Sequence, residues 1–397
     1  RLNELAAMVA DSARYNRYMQ QQPRYGAAPE GISYSLGIAL PQFQPDTEEF
    51  AVSQQLYYGI IQAIDEFNSA NNGKKIFARY TNTLLADTSY VKDVGSLMHR
   101  MIWQQQVDAV IGPLFSESTN RMKQWAYEYE VPLIAPLANA DSLNIDNPYV
   151  FQANPTFSVR GIKMARYAVN ELGLDTLAVI AEANSLGSSA AYSFRNEAER
   201  LGATVPYLFV ENFEKQGYDI TDYTKVFTGD EKLQDSLGYV PVKGIYAPFT
   251  GRVAPTLTDL LLTDLEASKS EAVIFGSQEW QNTNFDKQRI EDFEIYYTKS
   301  HHIDTARSEV KEFKTSYEQK FGLKANRFAY LGYDLGRFLT TTLDAGENPA
   351  HLKSLLKTYS AYRGLSTSLN FRGSHINRHL FIYKITPEEG HVMIEEM

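Results

Sequence analysis

The feature that most constrains this chain is an alternation of short apolar runs with amphipathic stretches, sustained from Ser33 to beyond Phe275. Residues 35–40 form such a run, ended by Pro41, and suit a strand buried on both faces. Leu56, Tyr57, Ile60, Ile61, Ile64 and Phe67 then recur at helical spacing, and Asn71-Asn72-Gly73 is a stop signal. Residues 76–80 read as the next strand, and Val91, Val94, Leu97, Met98 and Met101 mark the helix after it. A third strand, 107–111, is broken by Gly112-Pro113, and helix 122–129 and strand 131–135 follow. The order continues with helix 160–172, strand 177–181, helix 190–201 and strand 207–210, then strand 245–247, helix 256–266 and strand 272–275. Alternation of this kind calls for parallel sheets with helices on both faces. Its length exceeds one comfortable sheet, so two lobes are expected.

The ends have a different character. Residues 1–31 place Leu2, Leu5, Ala6 and Val9 at helical spacing before a polar, proline-containing stretch, which reads as a short helix and linker. The chain starts at Arg1 rather than Met and is read as processed or trimmed, leaving open a signal peptide, a lipid anchor or an upstream helical domain. Towards the other end, helical patterns over 308–320 and 328–343 precede two apolar runs, 380–385 and 392–394. Pro387-Glu388-Glu389-Gly390 between those runs predicts a hairpin.

Composition removes several classes of function. There is no cysteine among the 397 residues, which excludes disulfides, thiolate catalysis and Cys-ligated metal sites in this chain. A formal net charge of −10 argues against a duplex nucleic-acid binder. No run approaches the roughly 18 apolar residues of a membrane helix. Nor is there a Gly-x-Ser-x-Gly elbow, a phosphate loop, a Gly-x-Gly-x-x-Gly turn or a His-Glu-x-x-His pair. His301-His302 is read as a solvated loop pair, because adjacent rings diverge in regular structure. The expectation is therefore a non-enzyme without cofactor or metal.

Four segments, in order, resemble the type I periplasmic-binding fold of branched-chain amino-acid binding proteins and related extracellular ligand-binding receptors. They are residues 107–118 (a strand, a Gly-Pro turn and a Ser-rich helix start), Val131-Pro-Leu-Ile-Ala-Pro-Leu-Ala138-Asn139, Pro148-Tyr-Val-Phe151-Gln-Ala-Asn-Pro155, and Tyr362-Arg363-Gly364-Leu365 running on to Phe371. The resemblance implies two doubly wound parallel-sheet α/β lobes joined by three crossovers, near Ala153, Thr298 and Arg372, with a ligand cleft between them. It implies lobe 1 over 32–153 and 299–372 and lobe 2 over 154–298 and 373–397, after the N-terminal segment 1–31.

In open parallel sheets ligands lie beyond the carboxyl ends of the strands. Ser116 and Ser118 follow one strand at a helix start, where backbone N–H groups and hydroxyls can hold a carboxylate; they serve equally well as simple helix N-caps. Ala138, through its carbonyl, and Asn139 follow the next strand and offer acceptors to an ammonium, or Asn139 serves only the turn. On family analogy the second lobe adds Leu186, Phe249, Gln278 and Glu279, with Glu279 neutralising an amine and Trp280 capping an apolar side chain. The bland alternatives are core packing for Phe249 and Trp280 and a solvated acid for Glu279.

The chain also departs from the resemblance. Leu186-Gly187 stands where amino-acid binders usually carry Tyr-Gly, Pro248-Phe249 stands where a Tyr is frequent, Phe115 replaces a cysteine, and residues 228–242 read as an insertion. The expected function is an exported solute-binding protein of the periplasm or cell envelope. It would capture an amino-acid-like metabolite and deliver it to an ABC-type membrane permease. The alternative is an envelope regulatory module of the cell-wall-synthase-activator kind, whose partner is another envelope protein and which transports nothing.

Overall fold

Strand β1 (Ile32–Leu40) carries Tyr34, Leu36, Ile38 and Leu40 on one face and Ser35 and Ala39 on the other, all buried. A strand with two buried faces belongs inside a sheet covered on both sides. β1 indeed pairs in parallel with β2 (Lys74–Asn82) on one edge and with β3 (Ala109–Ile111) on the other. The computed structural model of the chain describes residues 32–42, 47–70, 73–84, 96–283, 285, 287–345, 352–358 and 361–397. The N-terminal helix and linker expected over 1–31, and Val91 and Val94 of an expected helix, lie outside these residues.

The described chain separates into two units. Unit 1 takes in residues up to Pro155 and His302–His379; unit 2 comprises Thr156–His301 and Leu380–Met397. In unit 1 the parallel sheet has the order β2-β1-β3-β4-β5, completed by β4 (Leu133–Ala135) and β5 (Val150–Gln152). One face is covered by α1 (Glu48–Ala70), whose Leu56, Ile60 and Ile64 lie in one core cluster with Leu335, Phe338 and Leu339 of the later helix α8 (Arg327–Ala345). The two helices approach closely: a Cβ on Gly332 would lie 2.1 Å from the Leu56 carbonyl oxygen. On the other face Met98, Met101, Met122 and Ala126 pack with Val110 and Leu133. Met122 and Ala126 belong to α2, which runs Ser116–Glu128 and so begins earlier than the apolar periodicity indicates.

Unit 2 starts with α3 (Phe157–Arg166), capped by the Thr156 hydroxyl, which accepts from Val159 N. Its parallel strands are β6 (Thr176–Glu182), β7 (Thr204–Glu211), β8 (Gly244–Ala247), β9 (Val273–Gly276) and β10 (Ile295–Lys299). Between them lie α4 (Gly187–Arg200), α5 (Glu231–Leu237) and α6 (Ala254–Ala267). The helix α5 occupies the expected insertion.

In unit 1, α7 (Ser308–Phe321) precedes α8, and α9 (Leu352–Thr358) and the small ribbon β11 (Tyr362–Arg363) and β12 (Ser368–Leu369) follow it. The chain ends in unit 2 as the predicted hairpin, β13 (Phe381–Thr386) and β14 (Gly390–Glu396), added antiparallel to β10. The sheet order is β14-β13-β10-β9-β8-β6-β7. This is the mixed α/β, parallel-sheet architecture expected from the alternation.

The last passage between units lies beyond Arg372 because of one buried amide. Asn377 Nδ2 donates to the carbonyls of Ala153 and Ser368, at 3.0 and 2.9 Å, and holds the segment after β12 on unit 1.

Candidate functional site

The strand order of each sheet reverses once: between β1 and β3 in unit 1, and between β6 and β8 in unit 2. Crevices for ligands form at such switch points, outside the carboxyl ends of the strands.

In unit 1, β3 runs into Gly112-Pro113 and then α2. The N-cap of α2 is Phe115, and no side chain caps it. The first-turn N–H groups therefore keep the unsatisfied donors and positive end that any helix start has. The N-cap reading of Ser116 and Ser118 is corrected by the hydrogen bonds. Ser118 is fully buried, and its hydroxyl donates back to the Phe115 carbonyl at 3.1 Å. Ser116 instead reaches across to the loop after β4, where its Oγ accepts from Asn139 N at 3.1 Å and from Ala140 N at 3.2 Å. A third, longer contact joins Ser116 Oγ to Asn139 Oδ1 at 3.4 Å. Ser116 and Asn139 thus come together at the uncapped end of α2.

Ala138 is completely buried, and its carbonyl already accepts from Gln152 Nε2 at 3.3 Å. Gln152 also donates to Ala140 O at 3.0 Å, and Asn154 Nδ2 donates to Leu137 O at 3.0 Å. These two residues of the Phe151–Pro155 segment pin the loop that carries Asn139. They stood inside a segment quoted above for its resemblance, but polar side chains at a strand end give no periodic signal of their role.

In unit 2, Leu186 is the N-cap of α4 and is exposed, and Gly187 follows it. A Cβ on Gly187 would lie 1.9 Å from the Pro248 carbonyl oxygen, so only glycine lets the loops after β6 and β8 meet. Gly187 N also donates to Thr250 Oγ1 at 3.3 Å. Ser277 Oγ donates to Phe249 O at 2.5 Å and accepts from Glu279 N at 3.2 Å, which ties the loop after β9 to the same place.

Leu186, Phe249 and the 277–280 turn are therefore gathered at adjoining strand ends, but their side chains differ in access. Phe249 and Trp280 are both fully buried. Trp280 lies on Gly276, where a Cβ would come within 2.3 Å of its ring, and tilts against Phe285 at 6.0 Å. Both aromatics pack in the core of unit 2, Trp280 against Gly276 and Phe285.

Gln278 and Glu279 are half-buried. Behind them stands Arg160, in the first turn of α3, which sequence reasoning missed. Its Nη1 donates to Gln278 Oε1 at 3.2 Å. Burial lowers this guanidinium to about 10, while the Tyr246 phenol and the Glu279 carboxylate pull it back up. Arg160 thus places a buried positive charge beside the Gln278–Glu279 turn. Only a polar residue at helical spacing marked Arg160 in the sequence, which does not separate a buried cation from a solvated one.

Among the described residues no group of three or more His, Cys, Asp or Glu could hold a metal, and no helix is long and apolar enough to cross a membrane.

Comparison with known proteins agrees with this geometry. The profile of the family described as "Periplasmic binding protein" matches residues 38–226, just under half of the chain. No curated protein matches it in sequence. Solved structures align over almost all of it. An ABC transporter substrate-binding protein from Desulfitobacterium hafniense, in complex with Leu, is 16% identical and covers 91% of this chain and 100% of its own, with a TM-score of 0.63. A putative branched-chain amino acid ABC transporter protein from Rhodospirillum rubrum is 19% identical over 91% and 100%, with a TM-score of 0.69. A solute binding protein from Rhodopseudomonas palustris, in complex with 3,4-dihydroxybenzoic acid, is 14% identical over 92% and 97%, with a TM-score of 0.57.

Proposed function

From a chain with the fold of the type I periplasmic binding proteins, we propose solute capture: this protein binds a small organic acid, an amino acid or a related carboxylate, for a membrane transporter of the ABC type. The observation that carries the reading is the uncapped start of α2, with Ser116 and Asn139 locked together beside it at the end of β3. A carboxylate there would accept from the first-turn N–H groups of α2 in the favourable field of the helix dipole. Leucine and 3,4-dihydroxybenzoic acid, bound by two of the similar proteins, share little except a carboxylate.

In unit 2, Gln278, Glu279 and the exposed Leu186 gather at that unit's own strand ends. The buried Arg160 beside Gln278 adds a positive charge to this turn, which leaves room for acids without an amine. No bond is made or broken in this function; the captured solute stabilises whichever state binds it better. The working place of the protein would be the periplasm or cell envelope.

The test is calorimetric titration with matched pairs, leucine against leucinamide and 4-hydroxybenzoate against 4-hydroxybenzamide. At least one acid should bind, its amide should bind at least about tenfold more weakly, and Ser116→Ala should weaken the acid by a similar factor. Equal binding of acid and amide would show that the carboxylate is not what is recognised and would overturn the reading.

A second reading, regulation through protein contact, is favoured by one feature. The insertion exposes Leu233, Leu237 and Val240 together on and just after α5. It predicts that Leu233→Gln with Leu237→Gln abolishes a partner interaction while leaving solute affinity unchanged.

A further inference from the structure

We propose that unit 1 carries a second small-molecule site, a hollow beside the edge of its sheet that takes the ring of a neutral polyhydroxylated compound, a sugar by its chemistry. The hollow measures about 280 Å³ and lies where β1 ends, between the early turns of α1 and the edge strand β2. Its volume is near the lower end of the range for ligand pockets, roughly 300–1,000 Å³. It shares no lining residue with the Ser116–Asn139 cluster and does not depend on the function proposed for that cluster.

Two sets of groups line it. Phe50, Tyr57 and Tyr58 of α1 and Tyr80 of β2 supply aromatic surface, extended by Leu40 and Pro41. Gln42, Ser53 and Gln54 supply the polar atoms. Among the described residues that line it none is charged at neutral pH, so a carboxylate or an ammonium entering the hollow would find no counter-ion among them. The rings are held in place by their neighbours. Tyr58 stacks on Phe321 at 4.4 Å with an interplanar angle of 3°, and Tyr57 meets Tyr80 edge to face at 5.5 Å. The Tyr80 hydroxyl donates to Leu40 O at 3.2 Å, yet the residue remains 41% exposed.

The second observation is Ser53. Its hydroxyl is buried and has no hydrogen-bond partner among the described residues. Leaving such a group unsatisfied costs about 1–3 kcal/mol, which a ligand with its own hydroxyls would recover. A purely apolar ring would suit the aromatic walls and leave Ser53 unanswered. A pyranose presents apolar C–H faces to the rings and hydroxyl edges to Ser53, Gln42 and Gln54, and so answers both demands.

The proposal is tested on the full chain with methyl β-glucopyranoside and N-acetylglucosamine, followed by saturation-transfer NMR, with phenol and benzoate as apolar-ring probes. At least one sugar should receive saturation on its ring protons, and Tyr80→Ala should weaken it by about tenfold. Ser53→Ala provides a variant that folds, because it deletes only an unsatisfied hydroxyl. It should melt no lower than the parent and still bind the sugar several-fold more weakly. The proposal is overturned if neither sugar is saturated, if phenol binds where both sugars fail, or if sugar binding survives both substitutions.

Discussion

Asp334, wholly buried on α8, accepts hydrogen bonds from Leu365 N at 2.6 Å, Ser366 N at 2.8 Å, Thr367 N at 3.1 Å and the Ser366 hydroxyl at 2.7 Å. Burial raises its carboxyl from 3.8 to about 6, although the four donors pull the other way. The sign follows from linkage: a carboxyl whose folded value exceeds its unfolded one favours folding when protonated. Its protonation-linked contribution is fully present below about pH 4 and fades as pH rises through about 6. Urea midpoints across this window should therefore carry a downward slope from Asp334, and Asp334→Asn should flatten it; an unchanged slope would assign the effect to another group. Asp334→Ala should cost about 3 kcal/mol or more at neutral pH, because it orphans three buried N–H groups at once.

Two further substitutions separate wall from core. Trp280→Ala should lower stability by about 3–5 kcal/mol, the cost of emptying a large aromatic site, and denaturant unfolding measures it. A loss under about 1 kcal/mol would restore Trp280 to the surface. Gly187→Ala should cost about 1–3 kcal/mol and weaken solute binding, since its methyl group would displace the Pro248 loop.

At the scale of elements, what could be read from the sequence depended on how each element buries its side chains. Strands covered on both faces, such as β1 and β8, are continuous apolar runs and stand out. β10 gives a weaker signal, because its residues, Ile295-Tyr-Tyr-Thr-Lys299, look polar, although β-branched and aromatic side chains of this kind favour a strand. Tyr297 there is fully buried and its hydroxyl lies 3.0 Å from His391 Nδ1 of β14, a contact no local pattern announces. The start of α2 was hidden for a related reason: Ser116 to Arg121 are polar, and apolar periodicity begins only at Met122. Ser116 lies in that start, and only its place after a strand marks it; of the two readings its residue type allows, the helix cap is not the one its hydrogen bonds make. The roles of Arg160, Gln152 and Asn154 have no local signal, because Arg160 meets a side chain 118 residues away and the two amides bind backbone carbonyls of the loop after β4. The apolar surface of α5 carries its own expectation: Leu233→Gln should change stability by no more than about 0.5 kcal/mol, as for other exposed positions.

At the scale of the whole molecule, two units are each built from chain segments far apart in sequence. Discontinuity of this kind makes each sheet's completion depend on distant chain: β13 and β14 join unit 2 only after the chain has finished unit 1. The proposed capture of a carboxylate-bearing solute rests on the start of α2 as its anchor. Thermal melting of the purified, refolded chain against amino acids, benzoates and other small acids tests it most directly, refolding having removed any solute carried through purification. A specific acid at 100 times its dissociation constant should add about 2.7 kcal/mol of stability, a rise of a few degrees, and Ser116→Ala should diminish the rise. A melting temperature indifferent to every acid, or raised equally by acids and their uncharged amides, would contradict it.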